Sequence, residues 1–490
     1  MRTQIVKKTS LSSNFSFQFL YRILIYFVPL IVSPYLTRVL GNNGLGVYQF
    51  SYTFAYYFVL VSMLGIEKYG QRLIATSVLD LQKLRRNFWS LYYFHLFISF
   101  FSLILYIFFV SFFVDNNKII FFLQAIYVLS AMFDVTWFFQ GIEDFKSVVI
   151  RNSLIKILEC ILIFAFVKTQ SDLWVYTLVS SGAWLLGQLI MLPQIVCIVK
   201  PCRVSRYEII KHIKPLIVLS VAVFATSLYT VFDKTLLGIM TTKENVAYYE
   251  YSNKLINLPK MIIAVIGTVL FPRACKLAYE NDINRLKKYM NCSVVITAVI
   301  GFASVWGFMA LSDSIAIVYY GKDFEVCGSV IKALSPNIII IEMGGILRMQ
   351  YLIPKKKDKE YTICICLNAI INLIFSLILI PVCGIYGAII GTTAAELFGL
   401  VFQMNLSKEV LSWKELIKGS CPFCVIGMLM FGIIKIMDAY LSMNIMNLLI
   451  EIVVGAVFFV GMSLAYIMVE YKELGWLIKN AFFKILIKKK

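Results

Sequence analysis

The chain has 490 residues, of which 60% are hydrophobic, 15% aromatic and 15% charged, and its mean hydropathy is +0.81. Soluble domains are nearer a quarter charged, so this composition excludes a soluble multidomain protein, a disordered chain and a disulfide scaffold, and makes a bilayer the solvent in which the sequence folds. The net charge of +19 would suggest nucleic acid in a soluble protein; here it asks which side of a membrane holds the cations, and no nucleic-acid partner is expected.

In chain order, Arg2, Lys7 and Lys8 precede an apolar stretch with no small-residue cleavage site after it, which reads as a retained first span. Apolar runs long enough to cross hydrocarbon then fall at 15–36, 47–66, 88–114, 119–140, 148–167, 174–198 and 215–240. Others follow at 255–275, 292–312, 329–353, 362–381, 386–405, 419–441 and 447–470, giving about fourteen spans. Lys156, Glu159 and Lys260 interrupt two of them. Loops are short throughout, which leaves no room for a soluble catalytic domain between spans. Cys421 and Cys424 have CxxC spacing but no second Cys/His pair to complete a metal site, and His95 and His212 are the only histidines, so no metal centre is expected.

An even number of spans puts both termini on one side. With that side inside, the inner segments hold 33 of the 46 Lys/Arg and the outer loops only six, the remaining seven lying within spans. This is the asymmetry of the positive-inside rule.

Two stretches repeat. Asp80-Leu-Gln-Lys-Leu-Arg-Arg86 matches Asp282-Ile-Asn-Arg-Leu-Lys-Lys288 in every chemical class, and Tyr48-Gln-Phe-Ser51 matches Tyr249-Glu-Tyr-Ser252. Both copies share one orientation, which predicts parallel repeats related by an axis along the membrane normal. The expected architecture is all-α: an N-lobe of six spans over 1–214, a C-lobe of six over 215–418, and two appended spans with a basic tail over 419–490.

Charges inside spans are costly, so each is a candidate functional group. Lys156 and Glu159 are spaced i, i+3 and read as a mutually neutralising pair, while Lys332, Arg348, Lys435, Asp438 and Glu451 are placed to snorkel. Arg22, Arg38, Lys234 and Lys260 remain, on or beside helices expected to border the substrate path, and form a cationic set suited to an anion such as pyrophosphate, onto which Arg can fork. Tyr48, Tyr52 and Tyr56, with Gln49 beside them, make a stripe on span 2 that suits sugar rings as well as plain packing. Asp134, Asp233 and Glu396 are acids within spans, able to relay a proton, hold sodium or serve only as structural hydrogen-bond partners.

Five segments in order carry a family resemblance: Pro34-Tyr-Leu-Thr-Arg38-Val-Leu-Gly41 with Gly44 and Tyr48; Gly65-Ile-Glu-Lys-Tyr-Gly70-Gln-Arg72; Trp137-Phe-Phe-Gln140-Gly141-Ile-Glu143; Asp233-Lys234-Thr-Leu-Leu-Gly238; and Ile380-Pro381-Val-Cys-Gly384-Ile-Tyr-Gly387-Ala. On these the chain resembles the Wzx-type polysaccharide flippases for O-antigen and capsule, of the multidrug/oligosaccharidyl-lipid/polysaccharide exporter superfamily. The resemblance implies a MATE-like fold in the bacterial cytoplasmic (inner) membrane with both termini cytoplasmic. It also implies translocation of an undecaprenyl-pyrophosphate-linked oligosaccharide to the outer leaflet by alternating access. The implied partners are the lipid-linked oligosaccharide, membrane lipids, and glycosyltransferases and a polymerase of the same pathway. No cofactor is expected beyond coupling to a proton or sodium gradient or to the membrane potential. Two alternatives from other classes are a multidrug/cation antiporter of the same superfamily, whose site should be acidic, and a membrane-embedded polysaccharide polymerase or ligase, which should carry a substantial external loop.

Overall fold

A computed structural model describes residues 11–471, apart from the side chains at 11–24, 26, 221–223, 225, 226 and 228–230. Every regular element among these residues is helical. The chain divides between Ala247 and Tyr248 into two compact units. The first holds α1 (Leu11–Met63), α2 (Ile66–Ala75), α3 (Leu81–Phe113), α4 (Lys118–Met132), α5 (Thr136–Gly141), α6 (Phe145–Phe166), α7 (Leu173–Leu189), α8 (Leu192–Ile198), α9 (Arg206–Ile210) and α10 (Ile213–Met240). The second follows from within α11 (Lys243–Tyr279) and comprises α12 (Ile283–Ser314), α13 (Val326–Leu334), α14 (Pro336–Leu347), α15 (Asp358–Cys383), α16 (Ile385–Leu406), α17 (Trp413–Tyr440) and α18 (Ile445–Glu470).

Ten helical runs among the described residues are long and apolar enough to cross a membrane, or eleven if the bent pair Lys322–Leu334 and Pro336–Leu352 is one span. The expected fourteen are not recovered as a count, for identifiable reasons. Two expected spans merge in α1, whose 53 residues are interrupted only at Gly41, with φ 67° and ψ 179°; a side chain rarely adopts that conformation, and glycine tolerates it. At the expected fifth span, α6 carries Arg151, Lys156 and Glu159, which lower its hydropathy. The final pair is present as two long apolar helices, α17 and α18, which pack on α12 inside the second unit.

Burial runs opposite to that of a soluble protein. On α3, Phe97, Phe100, Phe101 and Phe108 are exposed, while Ser99, Ser102 and Tyr106 are buried. Lipid tails solvate phenylalanine, so polar groups gain most by turning inward to one another: Ser102 donates to the Phe58 carbonyl at 2.7 Å and Tyr106 to that of Phe121 at 2.7 Å.

The repeated Asp motif has a local cause. Asp80 caps α3 by accepting from the amides of Gln82 and Lys83, and Asp282 caps α12 by accepting from the Arg285 amide. The leucine four residues on, Leu84 or Leu286, is fully buried in each case. Cap and anchor fix where the helix starts, leaving the basic side chains between them for the loop side.

Candidate functional site

The first unit carries a half-open cavity of about 220 Å³ lined by Arg151, Asn152, Lys156, Glu159, Trp184 and Gln188 with apolar neighbours. Three of these come from one face of α6, since positions 152, 156 and 159 are spaced i, i+4 and i+7. Arg151 is buried, only 7% exposed, and its guanidinium donates to Gln188 Oε1 at 3.0 Å, the Gly187 carbonyl at 3.2 Å, Asn152 Oδ1 at 2.8 Å and Thr136 Oγ1 at 3.3 Å. All four of these acceptors are neutral. Lys156 and Glu159 form the expected ion pair at 2.7 Å, and both face the cavity. Two cations against one carboxylate leave the lining net positive.

The tyrosine stripe leads to the same place. Tyr48 stacks on Tyr52 at 6.2 Å and Tyr52 on Tyr56 at 6.4 Å. Tyr52 also stacks on Tyr127 at 5.0 Å, and Tyr127 reaches the cavity residue Trp184 at 5.6 Å. A second link is polar: Tyr48 hydrogen-bonds to Ser180, and Ser180 donates to Glu159 Oε1 at 3.2 Å. Tyr48 and Gln49 are buried, and Tyr52 and Tyr56 half-buried. An aromatic wall leading to a cationic pocket can hold a group that is partly ring-like and partly anionic.

The other candidates are dispersed. The Arg22 side chain lies outside the described residues. Arg38 is exposed and donates to the Pro34 carbonyl at 2.8 Å. Lys234 is half-buried on α10 beside the buried Asp233, whose charge reaches Tyr57; Tyr57 in turn bonds Thr235 at 2.7 Å. Asp134 accepts from the Thr136 amide at 2.8 Å and shapes the turn between α4 and α5. In the second unit Lys260 and Glu396 are brought together, both within electrostatic reach of Glu342. Arg348, read as snorkelling, also acts on Glu342.

Sequence reasoning missed Arg151 and Glu342. Arg151 was counted among inner-loop cations because it precedes the apolar part of its helix; its signal was the spacing to Lys156 and Glu159 on one helix. Glu342 directly follows a run of four isoleucines, Ile338 to Ile341, which is signal enough for a buried acid.

Two family models match the chain: "Polysaccharide biosynthesis protein" over residues 11–278 and "Lipid II flippase MurJ" over residues 149–468. A Shigella dysenteriae protein described as an O-antigen transporter is 25% identical over 297 residues, covering 59% of this chain and 72% of that one. Among solved structures, a lipid II flippase in an inward closed conformation superposes with a TM-score of 0.73 at 17% identity, covering 93% of this chain and 98% of that one. An inward-facing multidrug resistance transporter of the MATE family does so with a TM-score of 0.56 at 14% identity, covering 89% and 98%. These likenesses show a MATE-like fold.

Proposed function

Because the chain belongs to the polysaccharide biosynthesis protein family, among the Wzx-type flippases of the multidrug/oligosaccharidyl-lipid/polysaccharide exporter superfamily, we propose that it carries an undecaprenyl-pyrophosphate-linked oligosaccharide from the cytoplasmic to the outer leaflet of the bacterial inner membrane. The observation that carries this reading is the cavity of the first unit, whose lining includes Arg151 and Lys156 to one carboxylate, Glu159, at the end of an aromatic wall. A pyrophosphate cannot enter hydrocarbon without compensating charge. Arg151 offers a planar fork for its oxygens, Lys156 a second positive charge, and Trp184, which lines the cavity, a flat face for a sugar ring. Similarity to a protein described as an O-antigen transporter supports the same cargo class.

Transport then needs the site to be accessible from each side in turn. An inside-negative potential favours outward movement of the anion by about 2.3 kcal/mol per charge per 100 mV, so release outside is assisted and capture need only be modest. Arg38, exposed on α1, adds a further cation to this unit. Glycosyltransferases and a polymerase of the same pathway would supply and consume the cargo. A drug cation would meet Arg151 and Lys156 against one carboxylate, which disfavours the antiporter alternative.

The test is surface glycan per unit of membrane-inserted protein in a strain lacking its own copy. Losing charge-assisted hydrogen bonds of about 1.5–3 kcal/mol predicts that Arg151→Gln lowers display roughly tenfold or more at unchanged abundance, with Arg151→Lys retaining more. Arg38→Gln and Arg22→Gln should lower it less. Full display from an Arg151→Gln, Lys156→Gln double variant would overturn the proposal.

A further inference from the structure

A second cavity, of about 200 Å³, lies wholly within the second unit. Its lining includes Glu342, Arg348, Gln350, Thr268, Ser293 and Thr297. The span that borders it is broken twice. A bend of 41° separates Lys322–Leu334 from Pro336–Leu352, and the helix then loosens into a π turn over Arg348–Leu352. Such turns insert a residue and re-aim side chains, and they concentrate at functional sites. A Cβ placed on Gly345 would lie 3.6 Å from Arg348 Nη2 and 3.7 Å from Glu342 Oε2, so both charged groups converge on one patch of bare backbone.

Gln350 supplies an independent observation. It is 1% exposed, it lines this cavity, and its Oε1 has no hydrogen-bond partner. A buried acceptor left unpaired costs about 1–3 kcal/mol, which a donor inside the cavity would recover. The volume admits a few water molecules, each taking about 30 Å³ in the liquid.

The charged surroundings select the ligand. Lys260 from α11, Arg348 from the π turn and Glu396 from α16 all act on Glu342. From α15, Tyr361 lies 5.9 Å from the Arg348 guanidinium, and the charges of Arg348 and Glu396 both reach Cys364. Helix α12 contributes the neutral Ser293 and Thr297, and Lys332 of α13 is engaged by Asp313 at 2.5 Å. Two cations therefore face two carboxylates. A metal ion entering would meet the Arg348 guanidinium, which lines the cavity with Glu342, whereas a proton neutralises one carboxylate without occupying space.

We propose that Glu342 is the proton-binding group of a hydrated coupling site in the second unit, with Gln350 accepting from the water that delivers the proton. In the step, a hydronium ion transfers H⁺ to a Glu342 carboxylate oxygen. An O–H bond forms, water is released, and the set Lys260, Arg348, Glu342 and Glu396 passes from neutral to one net positive charge. A group that gains and loses a proton within a transporter ties its cycle to the proton gradient. The coupling role rests on the flippase reading; the protonation site does not.

Infrared difference spectra of the reconstituted full chain, stepped from about pH 8 to about pH 5, test it directly. The expected result is a carboxylic-acid carbonyl band in the wild type and in Glu342→Asp that disappears in Glu342→Gln. The same band persisting in Glu342→Gln, or produced by sodium at constant pH, would overturn the proposal. The measurement needs no cargo. If the band behaves as expected but a deletion strain keeps its surface glycan, the flippase reading fails and the proton site stands.

Discussion

A histidine with no exposed surface must replace the hydrogen bonds that water gave both ring nitrogens. His212 does so ahead of α10, where the Tyr69 hydroxyl lies 2.8 Å from Nδ1 and the Ser90 hydroxyl 2.8 Å from Nε2. A neutral imidazole offers one donor and one acceptor, and each hydroxyl can take either role. A protonated ring would carry its charge in a buried site beside Lys211; burial first, then that neighbouring charge, pushes the His212 pKa from 6.5 down to about 4. The unfolded chain therefore binds the extra proton between those values, and its protonation favours unfolding there. The stability contributed by the neutral ring is complete above about pH 6.5 and is lost as pH falls toward 4, amounting to about 3 kcal/mol for a shift of this size. Thermal melts of the purified protein should show this as a difference between wild type and His212→Gln that is small in acid and grows to favour the wild type as pH rises through this window. A difference that stays constant with pH would show that His212 titrates normally.

Helices α2 and α5 show what the family-like segments do. Gly65 to Arg72 and Trp137 to Gly141 were two of the segments carrying the resemblance, and they pack on each other: a Cβ on Gly70 would lie 2.5 Å from Trp137 Cε3, with Trp137 and Phe138 fully buried. Gly70→Val should force α2 off α5 and destabilise the protein by about 1–3 kcal/mol, as overpacking does; combining it with Trp137→Leu should return part of that, read from melting temperature. What the sequence made legible is of this kind. The Lys156–Glu159 pair and the tyrosine stripe depend on neighbours within one or two helical turns, so spacing alone revealed them, while the Asp80 and Asp282 segments showed only as a repeat. The cavities were not legible because their walls join distant segments: Arg151 meets Gln188 from another helix, and Glu342 meets Lys260 and Glu396 from two others. Periodicity carries no information about such meetings. The resemblance did not supply them either, since its glycines and aromatics record how helices fit rather than what they hold.

For the whole molecule, the decisive quantity is how often the chain crosses the bilayer between two marked points. Asn116 is exposed in the turn between α3 and α4, and Asn284 is exposed in the first turn of α12. Between them run α4 with α5, then α6, then α7 with α8, then α10, then α11. If each of these five crosses once, the two asparagines lie on opposite sides, with Asn284 among the cations of the inner segment 273–291 and Asn116 in a loop that holds only Lys118. In a cysteine-free background, Asn116→Cys should react with an impermeant maleimide in intact cells and Asn284→Cys only after permeabilisation. Of the intervening elements, α6 carries three charges and is not among the runs of described residues that pass the length and hydropathy test. Losing it as a crossing would leave four and put both sites on the same side. Labelling of both cysteines in intact cells would therefore overturn the topology. The charges of α6 give no reason to expect that result: Lys156 is matched by Glu159, and Arg151 is buried against Gln188 rather than facing lipid.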